Sequence, residues 1–145
     1  MTNEEIENVC ISFITAGYQK TNKDAFFSFF DQYYDSNIEY YDWENRIIVG
    51  KDTLKSFYQE QLSPFNSIER NVISVAVDQY KIFLEIENFF NGSTFDSQKI
   101  LHVLSLNDNE KITRIETYLL GQVPEDVLWQ KKLAEFRKRD PFIYP

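Results

Sequence analysis

The spacing of the apolar residues changes once along this chain, and that change limits the folds open to it. Up to about residue 62 apolar side chains recur every three or four positions, and from about residue 71 they alternate. The first spacing puts a stripe along one side of a helix; the second puts every other side chain on one face of a strand. Ile6, Val9, Cys10, Phe13, Ile14 and Gly17 predict a helix from Thr2 or Asn3 to about Gln19, with the acids Glu4, Glu5 and Glu7 behind its cap. Phe26, Phe29, Phe30 and Tyr33 predict a second from about Asp24, ending before the Asp35-Ser36-Asn37 cluster. Leu54, Phe57, Tyr58 and Leu62 predict a third from about Asp52, stopped by Ser63-Pro64. The alternating part predicts four strands, at 71–77, 80–90, 99–106 and 112–120, with turns such as Asn91-Gly92 and Asn107-Asp108-Asn109 between them. Strands joined this tightly form an antiparallel meander. Helices first and strands afterwards predict an α+β fold, with helices covering one face of a curved sheet.

Composition narrows the class further. A chain of 145 residues is one domain's worth and buries about two-thirds of its accessible surface on folding. The 13 Phe and 9 Tyr beside only 4 Gly and 4 Pro predict a regular fold with a bulky interior. A net charge of −8 argues against nucleic acid or an anionic membrane as the main partner. One cysteine, Cys10, excludes an internal disulfide or a cysteine zinc cage, and with a single histidine beside it no metal site and no cofactor are expected. No apolar run approaches the roughly 20 residues of a membrane span, and the early acids are unlike a secretory signal, so the expected address is the cytoplasm. The main domain is placed at residues 1–121. In the tail at 122–145, Pro124, Glu125 and Asp126 predict the start of a short amphipathic helix ending in Lys131, Lys132, Arg137, Lys138 and Arg139. Such a tail is expected to pack on its own domain or on a dimer partner, as a lid or as a dimer arm.

His102, the chain's sole histidine, shares its alternation face with Leu104 and Leu106, too apolar a set for the solvent side. On the next strand Ile115, Thr117 and Leu119 are expected to face the helices with it. Tyr18, one turn beyond Ile14, and Tyr58 on the third helix are expected to approach from the opposite side. Tyr40, Tyr41 and Trp43 cannot all point into a core, because strand neighbours face opposite ways, so at least one is expected at a pocket or an interface. Asp42 keeps the phase of Tyr40 and belongs either at a pocket rim or on a solvent loop. Glu85 and Glu87, between Leu84 and Ile86, read as a polar outer face.

The order of two helices, then Tyr34-Asp35-Ser36-Asn37-Ile38-Glu39-Tyr40, then Val49-Gly50-Lys51-Asp52-Thr53-Leu54-Lys55-Ser56-Phe57-Tyr58, then the hairpin from His102-Val103-Leu104-Ser105-Leu106 through Glu110 to Tyr118, resembles the nuclear transport factor 2-like superfamily. Its SnoaL-like polyketide cyclase and ketosteroid isomerase group is the nearest in pattern, over about residues 5 to 120. The resemblance implies a cone, a strongly bent sheet wrapped around helices, with an apolar pocket at one end and frequent dimerisation through the sheet's outer face. It also implies an inward acid, base or oxyanion donor at the position of His102, and a pocket tyrosine at Tyr58. The chain departs from the group's pattern in several places. Ile14 stands where an inward tyrosine is expected, Tyr40 where a general-base carboxylate is expected, and Tyr118-Leu119-Leu120 lacks the cyclases' late aspartate; nor is there an inward arginine between two inward acids, as in the related epoxide hydrolases.

Two functions follow from the resemblance and its departures. One is an enzyme of cyclase, isomerase or dehydratase type that moves a proton on an apolar carbonyl compound, with His102 as acid or base and Tyr18 and Tyr58 as hydrogen-bond donors. The other is a non-catalytic carrier of apolar ligands or a protein-interaction module. Either would use a closed, aromatic-rich cavity around His102, lined by Ile14, Tyr40, Asp42, Trp43, Leu104, Ile115, Thr117 and Leu119, suited to a flat molecule with one or two oxygens. The competing reading of His102 is a core histidine that hydrogen-bonds a neighbouring tyrosine. Burial is expected to lower its pKa and leave it neutral at pH 7 unless Asp42 or an inward glutamate lies within reach.

Overall fold

The structure, a computed structural model, describes residues 2–15, 17–91 and 95–124. The tail helix expected after Pro124 and the turn glycine Gly92 lie outside the described residues. Helix α1 (Asn3–Thr15) opens on a reciprocal cap: the Thr2 amide donates to Glu5 Oε2 at 2.6 Å, and the Glu5 amide donates to Thr2 Oγ1 at 3.1 Å. Its buried stripe is Ile6, Val9, Cys10 and Phe13, as the spacing predicts. The helix stops at Thr15, four residues short of the predicted end. Gly17 then passes so close to the strand that opens at Ser67 that a Cβ there would meet the Ile68 carbonyl oxygen at 3.2 Å, and Tyr18–Gln19 form a short strand, β1, on Ile68 and Ser67.

Helix α2 (Lys23–Tyr33) buries Phe26, Phe27, Phe29 and Phe30. It runs straight into β2 (Tyr34–Tyr41), where Tyr34, Ile38 and Tyr40 are buried. The cluster Asp35-Ser36-Asn37, read as a helix breaker, ends the helix by becoming strand. Strand β3 (Ile47–Val49) and helix α3 (Lys51–Leu62) follow, with Gly50 between them at φ +99°, a conformation that favours glycine. The Gly50 amide donates to the Ile38 carbonyl at 2.8 Å, which sets the start of α3 against β2.

Strands β4 (Ser67–Asp78), β5 (Lys81–Asn91), β6 (Phe95–Leu106) and β7 (Ile112–Pro124) form the antiparallel meander. Together the seven strands make one sheet in the order β1-β4-β5-β6-β7-β2-β3, with β2 parallel to β7 and all other neighbours antiparallel. Strand β7 continues through Pro124, past the boundary drawn after residue 121. Register shifts at Val72/Ser74, Lys99/Ile100 and Ser105/Leu106 add residues to one strand of a pair, which bends and twists the sheet into a curl. The concave face carries Ile82, Leu84 and Ile86, then Ile100 and Leu104, then Ile112 and Ile115, all packed in one core with the helical aromatics. Glu85 and Glu87 lie on the opposite face, with Phe89, Tyr118 and Leu120 exposed there. No helix among the described residues is long and apolar enough to cross a membrane.

Phe30 anchors the helical layer. Its ring meets those of Phe26, Phe27, Tyr34 and Tyr58 at centroid distances of 4.5 to 5.9 Å, and only 1% of the residue is exposed. Phe30→Ala is expected to cost about 3–5 kcal/mol, through lost transfer energy and the cavity left behind. Urea unfolding should show a lower midpoint with an unchanged slope.

Candidate functional site

The curl leaves a half-open pocket of about 570 Å³, its mouth included, between the concave face and the helices. Alternation on β4, β5 and β6 places Arg70, Asn88, Gln98 and His102 on that face, and β7 adds Thr117. The phenols Tyr18, Tyr40 and Tyr58 come from β1, β2 and α3, and Phe26, Ile68 and Ile100 supply apolar wall. Trp43, Leu62 and Phe90 line both this pocket and an outer compartment bordered by Asp42, Arg46 and Phe57, so they mark the mouth. A closed cavity was expected; this one opens between α3 and the β2–β3 turn.

His102 is 3% exposed and sits at the centre of the polar set. Its Nδ1 lies 2.8 Å from Thr117 Oγ1, and its Nε2 lies 3.4 Å from Arg70 Nη2. A guanidinium offers only donors, so Nε2 is the acceptor and Nδ1 carries the proton it donates to Thr117. The Tyr40 phenol is perturbed by both Thr117 and Tyr58, whose ring lies 5.9 Å from its own, and its hydroxyl donates to Asp42 Oδ2 at 3.4 Å. Polar groups therefore cross the pocket from Arg70 through His102 and Thr117 to Tyr40 and Tyr58.

Burial pushes the His102 pKa well below its ordinary value, and the Arg70 charge pushes it the same way, so the imidazole is neutral at pH 7. Burial raises Tyr58 to about 12, against the opposing pull of Arg70. Tyr40 is raised further, by burial first and then by Tyr58 and Asp42. Both phenols thus keep their protons and can donate them as hydrogen bonds. Arg70 is partly buried, and burial lowers its pKa from a value so high that it stays charged. Its guanidinium lies 4.5 Å above the Phe13 ring, and among the described residues it has no carboxylate within 4 Å.

The remaining sequence candidates separate into three groups. Tyr40, Trp43 and Thr117 line the pocket with His102, Tyr18 and Tyr58, although Tyr18 does so from β1 and not from the first helix. Asp42 borders only the outer compartment and is committed to the β2–β3 turn. Its carboxylate accepts from the Glu44 amide at 2.9 Å, the Arg46 amide at 3.2 Å and Arg46 Nη1 at 3.0 Å. Leu104 and Ile115 have no exposed surface and Leu119 packs against the core; these three fill the layer beside the pocket and do not line it. Ile14 belongs to α1, and its side chain lies outside the described residues.

Sequence reasoning missed Arg70, Asn88 and Gln98. Asn88 keeps the phase of Ile82, Leu84 and Ile86, and Gln98 that of Ile100 and His102, so alternation alone could have found both. Arg70 keeps the phase of Ile68 and Val72 but fell one residue before the predicted strand. Among the described residues no three His, Cys, Asp or Glu side chains cluster as a metal site would require.

With a single histidine in the chain, stability between about pH 6.5 and 5 reports on His102, because carboxylates titrate lower. The unfolded chain binds a proton near pH 6.5 that the folded chain refuses, so stability falls as pH drops through this window, by up to about 1.4 kcal/mol per unit. His102→Gln should flatten that slope in urea titrations taken across it.

No protein-family model and no curated protein matches this sequence. Solved structures do match. A provisionally named SnoaL-like polyketide cyclase from Jannaschia sp. CCS1 superposes with a TM-score of 0.68 at 9% identity, over 81% of this chain and 86% of that one. A provisionally named isomerase of the SnoaL-like family from Agrobacterium tumefaciens gives 0.66 at 13% identity, over 81% of this chain and 99% of that one. A protein of ketosteroid isomerase-like fold from Catenulispora acidiphila, in complex with trimethylamine, gives 0.62 at 12%, over 81% and 86%. At such identities the likeness is one of fold, and the fold of this chain is the nuclear transport factor 2-like cone, with SnoaL-like and ketosteroid isomerase-like structures among its neighbours.

Proposed function

We propose that this protein is a cofactor-independent enzyme that moves a proton on a mostly apolar carbonyl compound, in an isomerisation, cyclisation or dehydration. The observation that carries this reading is His102 itself: a neutral imidazole whose Nδ1–H is held by Thr117 and whose Nε2 lone pair faces a pocket residue. An imidazole oriented through one nitrogen is set to accept a proton at the other. In the proposed step the substrate displaces the Arg70 N–H from Nε2, 3.4 Å away, and Nε2 takes a proton from the carbon next to a substrate carbonyl. The electron pair of that C–H bond moves into an enolate, whose oxygen accepts a hydrogen bond from Tyr58 or from its neighbour Tyr40. Returning the proton to another carbon completes an isomerisation; loss of a hydroxide from the neighbouring carbon, protonated as it leaves, completes a dehydration. Tyr18 supports the apolar wall and a further phenol.

A specific observation favours a second reading, a non-catalytic carrier: among the described residues no carboxylate lines the inner pocket, and Asp42 is occupied by Arg46. Proton exchange separates the two. In D2O, a panel of aryl ketones and β,γ-unsaturated ketones followed by NMR should show protein-dependent deuterium uptake at the α-carbon. His102→Gln should slow that uptake at least about 100-fold at unchanged ligand binding. Equal uptake by the variant removes His102 from the chemistry, and binding without uptake in the unaltered protein supports the carrier.

We further propose a homodimer formed through the convex face, where Phe89, Tyr118 and Leu120 are 42 to 52% exposed. Sedimentation at micromolar concentration should give twice the 17.3 kDa chain mass, and Tyr118→Lys with Leu120→Lys should return it to that of one chain.

A further inference from the structure

The strand register aligns three polar residues across the concave face. Arg70 on β4 pairs directly with Asn88 on β5, and Asn88 pairs directly with Gln98 on β6. Directly opposed residues share a face, so the three form a transverse row, and all three line the pocket. Their neighbours on that face are apolar: Val72, Ile86 and Ile100 form the next row along the strands.

Two members of the row lack the partners that burial ordinarily demands. Arg70 rests on the Phe13 ring and against His102 Nε2, and among the described residues no carboxylate lies within 4 Å of it. Asn88 is 5% exposed, and among the described residues its Oδ1 has no hydrogen-bond partner. Buried polar atoms are nearly always paired, and a desolvated cation attracts an anion more strongly than an exposed one does. A cation and an unsatisfied amide side by side in an aromatic-walled pocket are half of a recognition site. The missing half is a negatively charged acceptor for the guanidinium and a hydrogen-bond donor for the amide oxygen.

We infer that the pocket takes a flat organic carboxylate, its carboxyl group held by the Arg70 guanidinium, its polar edge met by Asn88, and its apolar body lying among the aromatic side chains. The guanidinium fork matches a carboxylate in two parallel hydrogen bonds, which a neutral ester or ketone cannot supply. The Asn88 Oδ1 can only accept, so the ligand's polar edge there is an O–H or N–H. A carboxylate seated on Arg70 also sets the ligand's skeleton beside His102 Nε2, 3.4 Å from the same guanidinium. This inference rests on the pocket's being a ligand site, as proposed above, but it does not require that the site be catalytic.

The test uses two probes of nearly equal shape, 2-naphthoate and its neutral methyl ester, titrated calorimetrically into the full chain at pH 7.5. The unaltered protein should bind naphthoate at least 10-fold more tightly than the ester. Arg70→Met should abolish that preference by weakening naphthoate at least 10-fold, with ester binding kept within about twofold, and Arg70→Lys should retain part of it. Equal affinity for both probes, a preference for the ester, or binding of neither overturns the inference without any variant, so a poorly folding Arg70→Met does not protect it. A naphthoate preference that survives Arg70→Met in a folded protein overturns it as well. Failure here is separable from failure of the enzymatic reading: naphthoate preference with no deuterium uptake leaves a carrier of acids, and uptake from neutral ketones with no naphthoate preference leaves an enzyme for neutral substrates.

Discussion

The Arg70 guanidinium, seated in the concavity with no carboxylate beside it among the described residues, sets the electrostatics of everything around it. Partly withdrawing such a cation from water carries a desolvation cost. The Phe13 face at 4.5 Å returns part of that, roughly 0.5–2 kcal/mol, and the phenol dipoles and the His102 lone pair supply more. Those contacts in turn decide the state of each neighbour. A cation facing Nε2 forces that nitrogen to be the acceptor, so the proton sits on Nδ1 and goes to Thr117. A single charge thus orders the polarity of the hydrogen bonds that join β4, β6 and β7.

That set of polar groups is held by backbone geometry well away from the pocket. His102 and Thr117 meet because they are register partners on adjacent strands, and Tyr40 meets them because β2 runs parallel to β7. The close contact between Gly17 and the Ile68 carbonyl brings Tyr18 to the same wall, while the Gly50 amide bonded to Ile38 aims α3, and with it Tyr58, from above. Side chains on strands are placed more firmly than those on loops, and this site takes nearly all its polar groups from strands. Tyr58, on α3, is one exception, and Trp43 and Asp42 are the others. The last two belong to the β2–β3 turn, where Asp42 serves the turn and Trp43 the mouth.

Local pattern carried much of this architecture. The three helices, the four-strand meander and the inward side of His102 all follow from spacing and alternation, because each depends on neighbours within one or two turns or strands. What spacing could not reveal are pairings between distant segments. The end of α1 depends on a carbonyl more than fifty residues away, so an apolar stripe through Gly17 read as more helix. The polar run Asp35-Ser36-Asn37 has the composition of a breaker, yet it is held extended between two anchored stretches, Tyr34 on Ile112 before it and Glu39 to Tyr41 on β7 and β3 after it. Leu104 and Ile115 were placed on the right face but at the wrong depth, since alternation gives the direction of a side chain and not what lies above it. Arg70, Asn88 and Gln98 were within reach of the same alternation that found His102. A basic or amide residue in an apolar phase reads as the frayed end of a strand unless its register partner is polar too.

The same electrostatics bears on what His102 can do. In the empty pocket its basicity is suppressed twice, by desolvation and by the adjacent guanidinium, and a base so weak accepts protons from carbon poorly. An anion bound on Arg70 would cancel the second of these suppressions and leave the first. A developing enolate would go further, because protonated imidazole beside an oxyanion and a guanidinium is a better-balanced set of charges than protonated imidazole beside a guanidinium alone. Basicity at Nε2 would then rise with the charge that the reaction itself creates, which favours the transition state over the bound substrate. The absence of a carboxylate partner among the described residues is therefore no obstacle to proton transfer in this cone. It shifts the balancing negative charge from the protein to the ligand.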